Sequence, residues 1–201
     1  MARSHIVGAA GALACLLLLS PFAGARERSL DADVLGELNL ARTEPQAYAE
    51  ALEQAAAYRS RASGAYDDPA AFQEAIGFLQ HQRALPPLGA DPGLENAAHS
   101  HADYQGREGG FGHQGPGGET FGDRLRRHGV FAMLAAEDVS YGYTSPREVV
   151  LQLIVDSGVP NRGHRANIFN PAFREAGVAC GPHRLYGSMC VVDFAGNVMR
   201  R

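Results

Sequence analysis

The 201-residue sequence contains no lysine and no tryptophan, and it has only three cysteines. Its 18 cationic side chains are all arginine and are outnumbered by 22 acidic ones, which leaves a formal net charge of −4. Nucleic-acid binding depends on clustered positive charge, so we expect no nucleic-acid partner. With 45% hydrophobic and 20% charged residues, the chain is not wholly disordered, collagen-like or a coiled coil. Its length predicts about one domain.

Long apolar runs are missing after residue 25. Residues 1–25 combine a cationic Arg3, an apolar stretch over Ile6–Leu19 and an A-x-A site at Ala23–Ala25. This pattern is typical of a cleaved signal peptide. A permanent anchor is the alternative, but a membrane-spanning helix needs about 20 apolar residues. We therefore expect a secreted protein, periplasmic or extracellular, that has no transmembrane anchor after cleavage and is a monomer.

Removal of residues 1–25 leaves two cysteines, Cys180 and Cys190. An oxidising compartment favours a disulfide between them. The residues between them include turn formers, and β-rich runs lie on both sides, so we predict a hairpin stapled near its loop. A zinc pair is the alternative, but two thiols without a second pair of ligands make a poor structural zinc site.

Helical periodicity dominates the rest of the chain. Residues 31–58 have helical spacing interrupted by Pro45, residues 62–69 are turn-rich, and Asp68 can cap a following helix. A further helix is predicted from Pro92, and Ser145-Pro146-Arg147-Glu148 is a helix start signal. Because helices precede and flank a hairpin-based sheet, without βαβ alternation or repeats, we predict one α+β domain.

Familiar catalytic motifs are missing. No serine lies in G-x-S-x-G and no H-E-x-x-H occurs. The sequence therefore lacks the motifs that usually indicate a serine hydrolase or a zincin. Gly110-x-Gly112-x-x-Gly115 has the spacing of a dinucleotide fingerprint. That fingerprint requires a preceding strand and a following helix, whereas here a predicted helix precedes it, so nucleotide binding is not expected.

Two histidines and one glutamate are candidate site residues. His113 lies in a glycine-rich loop and His164 follows Pro160, and neither belongs to an apolar stripe. Imidazole binds divalent metals or transfers protons near neutral pH. Glu137 lies between apolar residues, where a carboxylate needs a partner or a ligand. A joint site of these three is one hypothesis, and a buried hydrogen-bond network is the other.

The remaining histidines differ in their expected surroundings. His101 shares the buried stripe of the helix that begins at Pro92, whereas His99 does not, so His101 is a candidate to line the site. A hydrogen-bonded, half-buried core histidine is an equal alternative for His101. His81, His128 and His183 lie among polar or turn residues, and we expect them to face solvent.

Several segments occur in a fixed order across most of the chain. They are L-N-x-x-R-x-x-P at 38–45, G-H at 112–113, A-E-D-V-S-Y-G at 136–142, R-G-H-R-x-N-I-F-N-P at 162–171 and G-V-A-C-G-P-H at 177–183. They resemble the CAP superfamily of cysteine-rich secretory proteins, antigen 5 and pathogenesis-related 1 proteins, and most closely its compact secreted bacterial branch. The likeness assigns residues 34–196 to one domain, with tails at 26–33 and 197–201.

The resemblance implies an α-β-α sandwich with a central, largely antiparallel sheet and a cleft. It implies that His113, Glu137 and His164 line this cleft and hold a divalent metal such as zinc. Further candidates for the cleft wall are His101, Asp138, Asp156 and Arg165. Two departures are visible: Asp156 is the nearest carboxylate where the family often has a second glutamate, and the family's G-E-N reads Ala136-Glu137-Asp138 here.

The family has no single shared activity, because some members bind sterols or fatty acids and others act as toxins or signals. We expect a secreted, non-enzymatic binding module with a metal cleft and a lipid, sterol, envelope or host partner. The alternative is a metal-assisted hydrolase that acts on peptide, ester or cell-wall bonds. Two histidines and one carboxylate leave an open position on zinc for an activated water.

Overall fold

A computed structural model describes residues 29–59 and 68–199. The predicted signal peptide (1–25) and most of the predicted turn-rich segment at 62–69 lie outside these ranges. The described residues form seven α-helices, which are Leu30–Thr43 (α1), Pro45–Arg59 (α2), Pro69–His81 (α3), Pro92–Glu108 (α4), Phe121–Arg127 (α5), Pro146–Val155 (α6) and Gly163–Ile168 (α7). Short 3₁₀ turns occur at Pro116–Gly118 and Pro160–Arg162.

Six strands accompany these helices. They are Gly89–Ala90 (β1), Phe131–Ala132 (β2), Ala135–Tyr141 (β3), Glu175–His183 (β4), Gly187–Ala195 (β5) and Val198–Met199 (β6). The main sheet has the order β1-β4-β5-β3, in which β1 is parallel to β4 and the other pairs are antiparallel. β3 is therefore a terminal strand of the sheet. β2 and β6 form a separate antiparallel pair.

The sheet is the middle of three layers, which confirms the predicted α+β class. Side chains alternate between the two faces of a strand, so β5 directs Val192 and Phe194 towards α1, α3 and α6. The same strand directs Met189 and Val191 towards Ala98 and Ala102 of α4, with α5 packed beside α4. The two helical layers end at the free edge of β3, where a cavity opens.

The predicted helix starts are confirmed at residue level. Asp68 accepts a hydrogen bond from the amide of Ala71 (2.9 Å), and Pro69 is the first residue of α3. Ser145 accepts from the amide of Glu148 (3.3 Å) at the start of α6. Side-chain acceptors at these positions satisfy amides that have no partner within the helix, which explains why the boundaries were readable in the sequence.

The predicted disulfide between Cys180 and Cys190 is present, and it joins directly opposed residues of β4 and β5. The folded domain also extends beyond the boundaries predicted at 34 and 196. α1 begins at Leu30, and Asp31 accepts a hydrogen bond from the amide of Cys180 (2.7 Å). At the other end, Val198 pairs with Ala132. Both predicted tails therefore contribute structure.

The L-N-x-x-R motif has a structural role. Asn39 exchanges two hydrogen bonds with the main chain of Leu88 (2.7 and 3.0 Å), which fixes the extended segment before β1. The fully buried Arg42 donates to the carbonyls of Ile168, Asn170 and Phe173. Burial lowers the pKa of Arg42 to about 10. Arg42 thus ties α1 to the N-I-F-N-P segment at the end of α7.

Among the helices of the described residues, none combines the length and the apolar character that crossing a membrane would require.

The packing of α4 on the sheet generates a stability prediction. A Cβ atom on Gly177 would lie 2.0 Å from the amide nitrogen of Glu95 and 2.2 Å from the carbonyl carbon of Leu94, both backbone atoms of α4. Gly177→Ala must therefore push α4 off the sheet, and we expect a loss of about 3 kcal/mol. Gly181→Ala on the same strand is the control, because its Cβ meets nothing within 4 Å; it should change stability by less than about 0.5 kcal/mol. Urea unfolding of both variants measures the difference, and equal losses would contradict the close approach.

Candidate functional site

A cavity of about 540 Å³ lies along the free edge of β3. Its wall includes residues 111–113 and, from β3, Val139 and Tyr141. One side of α6 and several residues between the end of α6 and His164 complete the wall. His113 and His164 both line this cavity, although they are far apart in sequence. The cavity therefore brings together the two imidazoles that sequence analysis singled out.

The loop that carries His113 is fixed through the main chain of Gly112. The Gly112 carbonyl lies 2.9 Å from Nε2 of His101 and accepts from Nε2 of Gln105 (2.8 Å), and its amide donates to the Tyr141 hydroxyl (3.0 Å). Gly112 has φ +88°, a conformation that side chains disfavour. The glycine thus allows the turn, and three buried or half-buried side chains hold it. His113 is placed by this frame.

Glu137 lies on β3 with its side chain directed at α4 and α5. Nδ1 of His113 donates to its Oε1 (3.0 Å), and the guanidinium of Arg124 binds its Oε2. Glu137 is 7% exposed and Arg124 is fully buried. Burial raises the pKa of Glu137, but the hydrogen bond from His113 and the charges of His101 and Arg124 outweigh burial, so the pKa lies below its ordinary value. Glu137 is therefore ionised, and the guanidinium of Arg124 compensates its negative charge.

His164 is held by a carboxylate of its own. Asp156 accepts from the His164 ring at Nδ1 (2.6 Å) and from the His164 amide (2.8 Å). Asp156 ends α6 in the left-handed region (φ 54°), and Arg162 donates to its carbonyl (2.7 Å). Burial lowers the pKa of His164, but the hydrogen bond with Asp156 and the charges of Asp138 and Asp156 outweigh burial and raise the pKa overall.

Two more acids lie next to Glu137. Asp193 is its direct partner across the β3–β5 ladder and is fully buried. Burial, followed by the negative charge of Glu137, raises the pKa of Asp193 well above its ordinary value. Asp138 faces the opposite layer, where Asn167 donates to it (2.6 Å), and burial raises its pKa to about 8. Burial therefore favours the protonated form of both side chains.

The other predicted wall residues divide into two groups. Asp156 lines the cavity, whereas His101, Asp138 and Arg165 do not, and Glu137, which was expected to line the cleft with the two imidazoles, is not among the lining residues either. The His113 loop covers His101. The side chain of Asp138 points away from the cavity and into the layer of α7. Arg165 turns to the far side of α7, where it donates to Glu74 (2.6 Å) and to the carbonyl of Ile154 (2.5 Å).

The prediction that His183 faces solvent is wrong, since only 3% of the residue is exposed. Its Nδ1 accepts from the amides of Leu185 and Tyr186, so its proton is on Nε2, which donates to the carbonyl of Gly110 (2.9 Å). The hairpin turn folds over the ring, which a count of neighbouring polar residues does not reveal. His183 is therefore a brace between this turn and the loop of His113.

Sequence analysis missed three residues of the site: Arg124, Gln105 and Tyr141. Arg124 had a usable signal, because Phe121, Arg124 and Leu125 are spaced i, i+3, i+4 and share one face of α5. An arginine on the inward face of a short helix indicates a buried anionic partner. Gln105 and Tyr141 carried no comparable signal, because they act through the main chain of a distant loop.

The donor set was tested against the expected divalent metal. Within residues 29–59 and 68–199, no group of three or more histidine, cysteine, aspartate or glutamate side chains is arranged to hold a metal ion. Both oxygens of Glu137 already have partners, one of them a guanidinium. Each imidazole, in contrast, has its Nδ1 proton held by a carboxylate, which leaves the Nε2 lone pair for a metal. The two Nε2 atoms are therefore the candidate metal ligands that the described residues leave open, and direct ligation by Glu137 stays a prediction.

Comparison with known proteins gives a family match across most of the chain. The model of the family described as "Cysteine-rich secretory protein family" (CAP) matches residues 37–194. These bounds include both imidazoles, Glu137 and the disulfide.

Individual relatives are more distant. The uncharacterised protein YkwD of Bacillus subtilis is 30% identical over 102 residues, which are 49% of this chain and 37% of that protein. An extracellular protein with an SCP domain from Bacillus anthracis is 24% identical, with a TM-score of 0.49, over 67% of this chain and 45% of that one. An outer surface protein of Borrelia burgdorferi is 21% identical, with a TM-score of 0.46, over 58% and 80% of the two chains. The chain thus spans less than half the length of the two Bacillus proteins.

The ion pair between Arg124 and Glu137 generates a double-mutant prediction. Arg124→Met leaves a buried, uncompensated carboxylate, and we expect a loss of about 3–5 kcal/mol in the free energy of unfolding. Arg124→Met/Glu137→Gln removes both charges and should recover much of that loss. Urea unfolding of the wild type, both single variants and the double variant measures the coupling. Additive losses would contradict a direct, buried pair.

Asp138 generates a pH prediction. The unfolded chain releases this proton near the ordinary pKa of 3.8, whereas the folded protein retains it up to a pKa of about 8. Stability therefore falls as pH rises from about 4 to about 8. Asp138→Asn keeps an oxygen for Asn167 and removes the titration, so it should reduce this fall by more than about 1 kcal/mol. Unfolding free energies measured across that pH range test this. A variant with the wild-type slope would refute the raised pKa.

Proposed function

We propose that this chain, which belongs to the cysteine-rich secretory protein (CAP) family, is an exported binding domain whose cavity takes a divalent metal between His113 and His164. One observation carries the proposal: both imidazoles line one cavity, and each has its own carboxylate on Nδ1. A carboxylate on the second nitrogen fixes the tautomer and raises the basicity of a metal-ligating histidine. Zinc is the metal that we expect.

The metal ligands in this proposal are the two Nε2 atoms, and Glu137 and Asp156 orient them. A metal bound there supplies open coordination positions for an oxygen or nitrogen atom of a ligand. The rest of the wall is mainly apolar, with Val139, Leu151 and Val155 among its residues. Such a wall favours a ligand with an apolar part, from a lipid or from an envelope or host component.

Export is supported by two observations. The disulfide between Cys180 and Cys190 is typical of an oxidising compartment. The solved structures that the chain resembles include a protein described as extracellular and another described as an outer surface protein. The apolar segment and A-x-A site within residues 1–25 are the expected route of export.

A metal-assisted hydrolase needs a general base, for which Glu137 was the candidate. An efficient general base has a pKa near the working pH. Glu137 instead has a lowered pKa and is bound by Arg124 and His113. These contacts favour binding over hydrolysis.

The test is equilibrium dialysis of purified protein against zinc. We expect saturable zinc binding by the wild type and none by His113→Ala/His164→Ala. Asparagine also tolerates the left-handed conformation at position 156. Asp156→Asn therefore removes only the negative charge next to the His164 ring, and zinc affinity should fall about 10- to 100-fold.

His81→Ala is the matched control, because His81 is exposed on α3 and does not line the cavity. It should bind zinc as the wild type does. A second readout is the melting temperature, which zinc should raise for the wild type and for His81→Ala, less for Asp156→Asn and not for His113→Ala/His164→Ala. Equal zinc retention by the wild type and the double variant would refute the site.

A further inference from the structure

The hydrogen bonds of β3 leave one of its edges unpaired. β3 is a terminal strand of the main sheet, with β5 as its only neighbour in that sheet among the described residues. Just beyond one end of β3, the Gly142 amide donates to the Ser188 carbonyl (2.9 Å). Just beyond the other end, the Gly196 amide donates to the Leu134 carbonyl (2.9 Å). The register between these two bonds is continuous, and hydrogen-bonded pairs alternate along an antiparallel ladder. The even-numbered residues of β3 therefore bond to β5.

The odd-numbered residues of β3 consequently direct their N–H and C=O groups towards the free edge. Two of them, Val139 and Tyr141, line the cavity, whereas the even-numbered Asp138 and Ser140 do not. Within residues 29–59 and 68–199, no group forms a hydrogen bond with the main chain of Val139 or Tyr141 at this edge. Unpaired main-chain groups on a strand edge are a template for pairing with another extended segment.

The free edge lies between the two helical layers, with apolar surface on both sides. Ser140 donates to Gln152 and so holds α6 against β3, and Leu151 of α6 lines the cavity. On the other side, the ring of Phe111 stacks on Tyr141 with 5.0 Å between ring centroids, and Phe111 is 75% exposed. An edge enclosed in this way is closed to the edge of a second folded sheet, whereas a single extended chain can enter the cavity beside it.

We propose that this cavity binds an extended peptide segment, which pairs with the free edge of β3 as a further strand of the sheet. The inference names a ligand class for the cavity, and it rests on the proposed function only in taking that cavity as the ligand site. Main-chain hydrogen bonds give affinity in this mode of recognition, and alternate side chains give specificity. Because successive side chains of a strand point to opposite faces, they would contact α6 and Phe111 in turn, so apolar side chains are favoured. A cavity of about 540 Å³ is within the size range of ligand pockets.

The first test is amide hydrogen exchange of the folded protein, followed by NMR. The probe is the peptide acetyl-Thr-Val-Thr-Val-Thr-amide, and a chelator is present so that zinc does not contribute. In the free protein, the amides of Val139 and Tyr141 should exchange faster than those of Asp138 and Ser140, which donate to β5. Saturating peptide should slow exchange at Val139 and Tyr141 at least about 10-fold. Asp138 and Ser140 are the internal controls, and their exchange should change little.

Two N-methylated isomers of the peptide separate main-chain pairing from apolar contact. One isomer carries its methyl group on the central threonine amide, and the other carries it on the preceding valine amide. Consecutive amides of a strand point to opposite edges, so one methyl group meets β3 and the other points away. The alternation of valine and threonine opposes a slip of one residue. One isomer should therefore bind as the parent peptide does, and the other at least about 10-fold more weakly, by titration calorimetry.

The proposal is overturned if saturating peptide leaves exchange at Val139 and Tyr141 unchanged, or if the two isomers bind with equal affinity. It is also overturned if decanol slows exchange at these amides as strongly as the peptide does, because the cavity would then take an aliphatic chain. Each of these results leaves zinc binding by His113 and His164 intact. Absence of zinc binding together with the expected peptide results, conversely, would refute the metal proposal and support this one.

Discussion

The buried ion pair between Arg124 and Glu137 holds together the segments on one side of the cavity. A carboxylate that is 7% exposed is stable only with a charge partner, and α5 delivers that partner from a different part of the chain. The same guanidinium donates to the carbonyl of His113 (3.3 Å). One arginine thus links α5, the His113 loop and β3. The capping of α5 by Thr120 and Asp123 consequently affects how His113 is placed.

The position of the second imidazole, His164, depends on contacts between residues that are close in sequence. Asp156 and His164 are eight residues apart, and one carboxylate accepts from both the ring and the amide of His164. The left-handed backbone at Asp156, Asn161 and Arg162 folds the intervening segment into the turn that this contact needs. A non-glycine residue in this region costs energy that the surrounding contacts must offset. The two histidines are therefore supported by independent means and converge on one cavity.

Much of the fold was predictable because its signals are local. Asp68 and Ser145 cap helices, His101 belongs to the buried stripe of α4, and Cys180 and Cys190 pair across a hairpin. Each of these follows from residues a few positions apart. The order of the family-like segments predicted that His113, Glu137 and His164 lie near one another. Whether Glu137 is a metal ligand was not readable, because its partner depends on tertiary structure. Only its spacing with Phe121 and Leu125 distinguishes Arg124 in the sequence from the neighbouring arginines 126 and 127, which lie on the outer face of α5.

The acid at position 138 adds a titratable group beside the site while it keeps an oxygen that accepts from Asn167. Asn167 donates to an oxygen of Asp138, and the asparagine of the related G-E-N motif offers the same oxygen. The added group titrates, however, and it lies within electrostatic reach of His164. As Asp138 loses its proton, its charge favours the protonated form of His164. A proton and a metal compete for Nε2 of His164. The negative charge of deprotonated Asp138 would attract a metal cation to the cavity. The same charge raises the pKa of His164, however, and so favours the proton over the metal. If the cavity binds a metal as proposed, the acid would make that affinity depend on pH through two opposing effects, in addition to the titration of the imidazoles themselves.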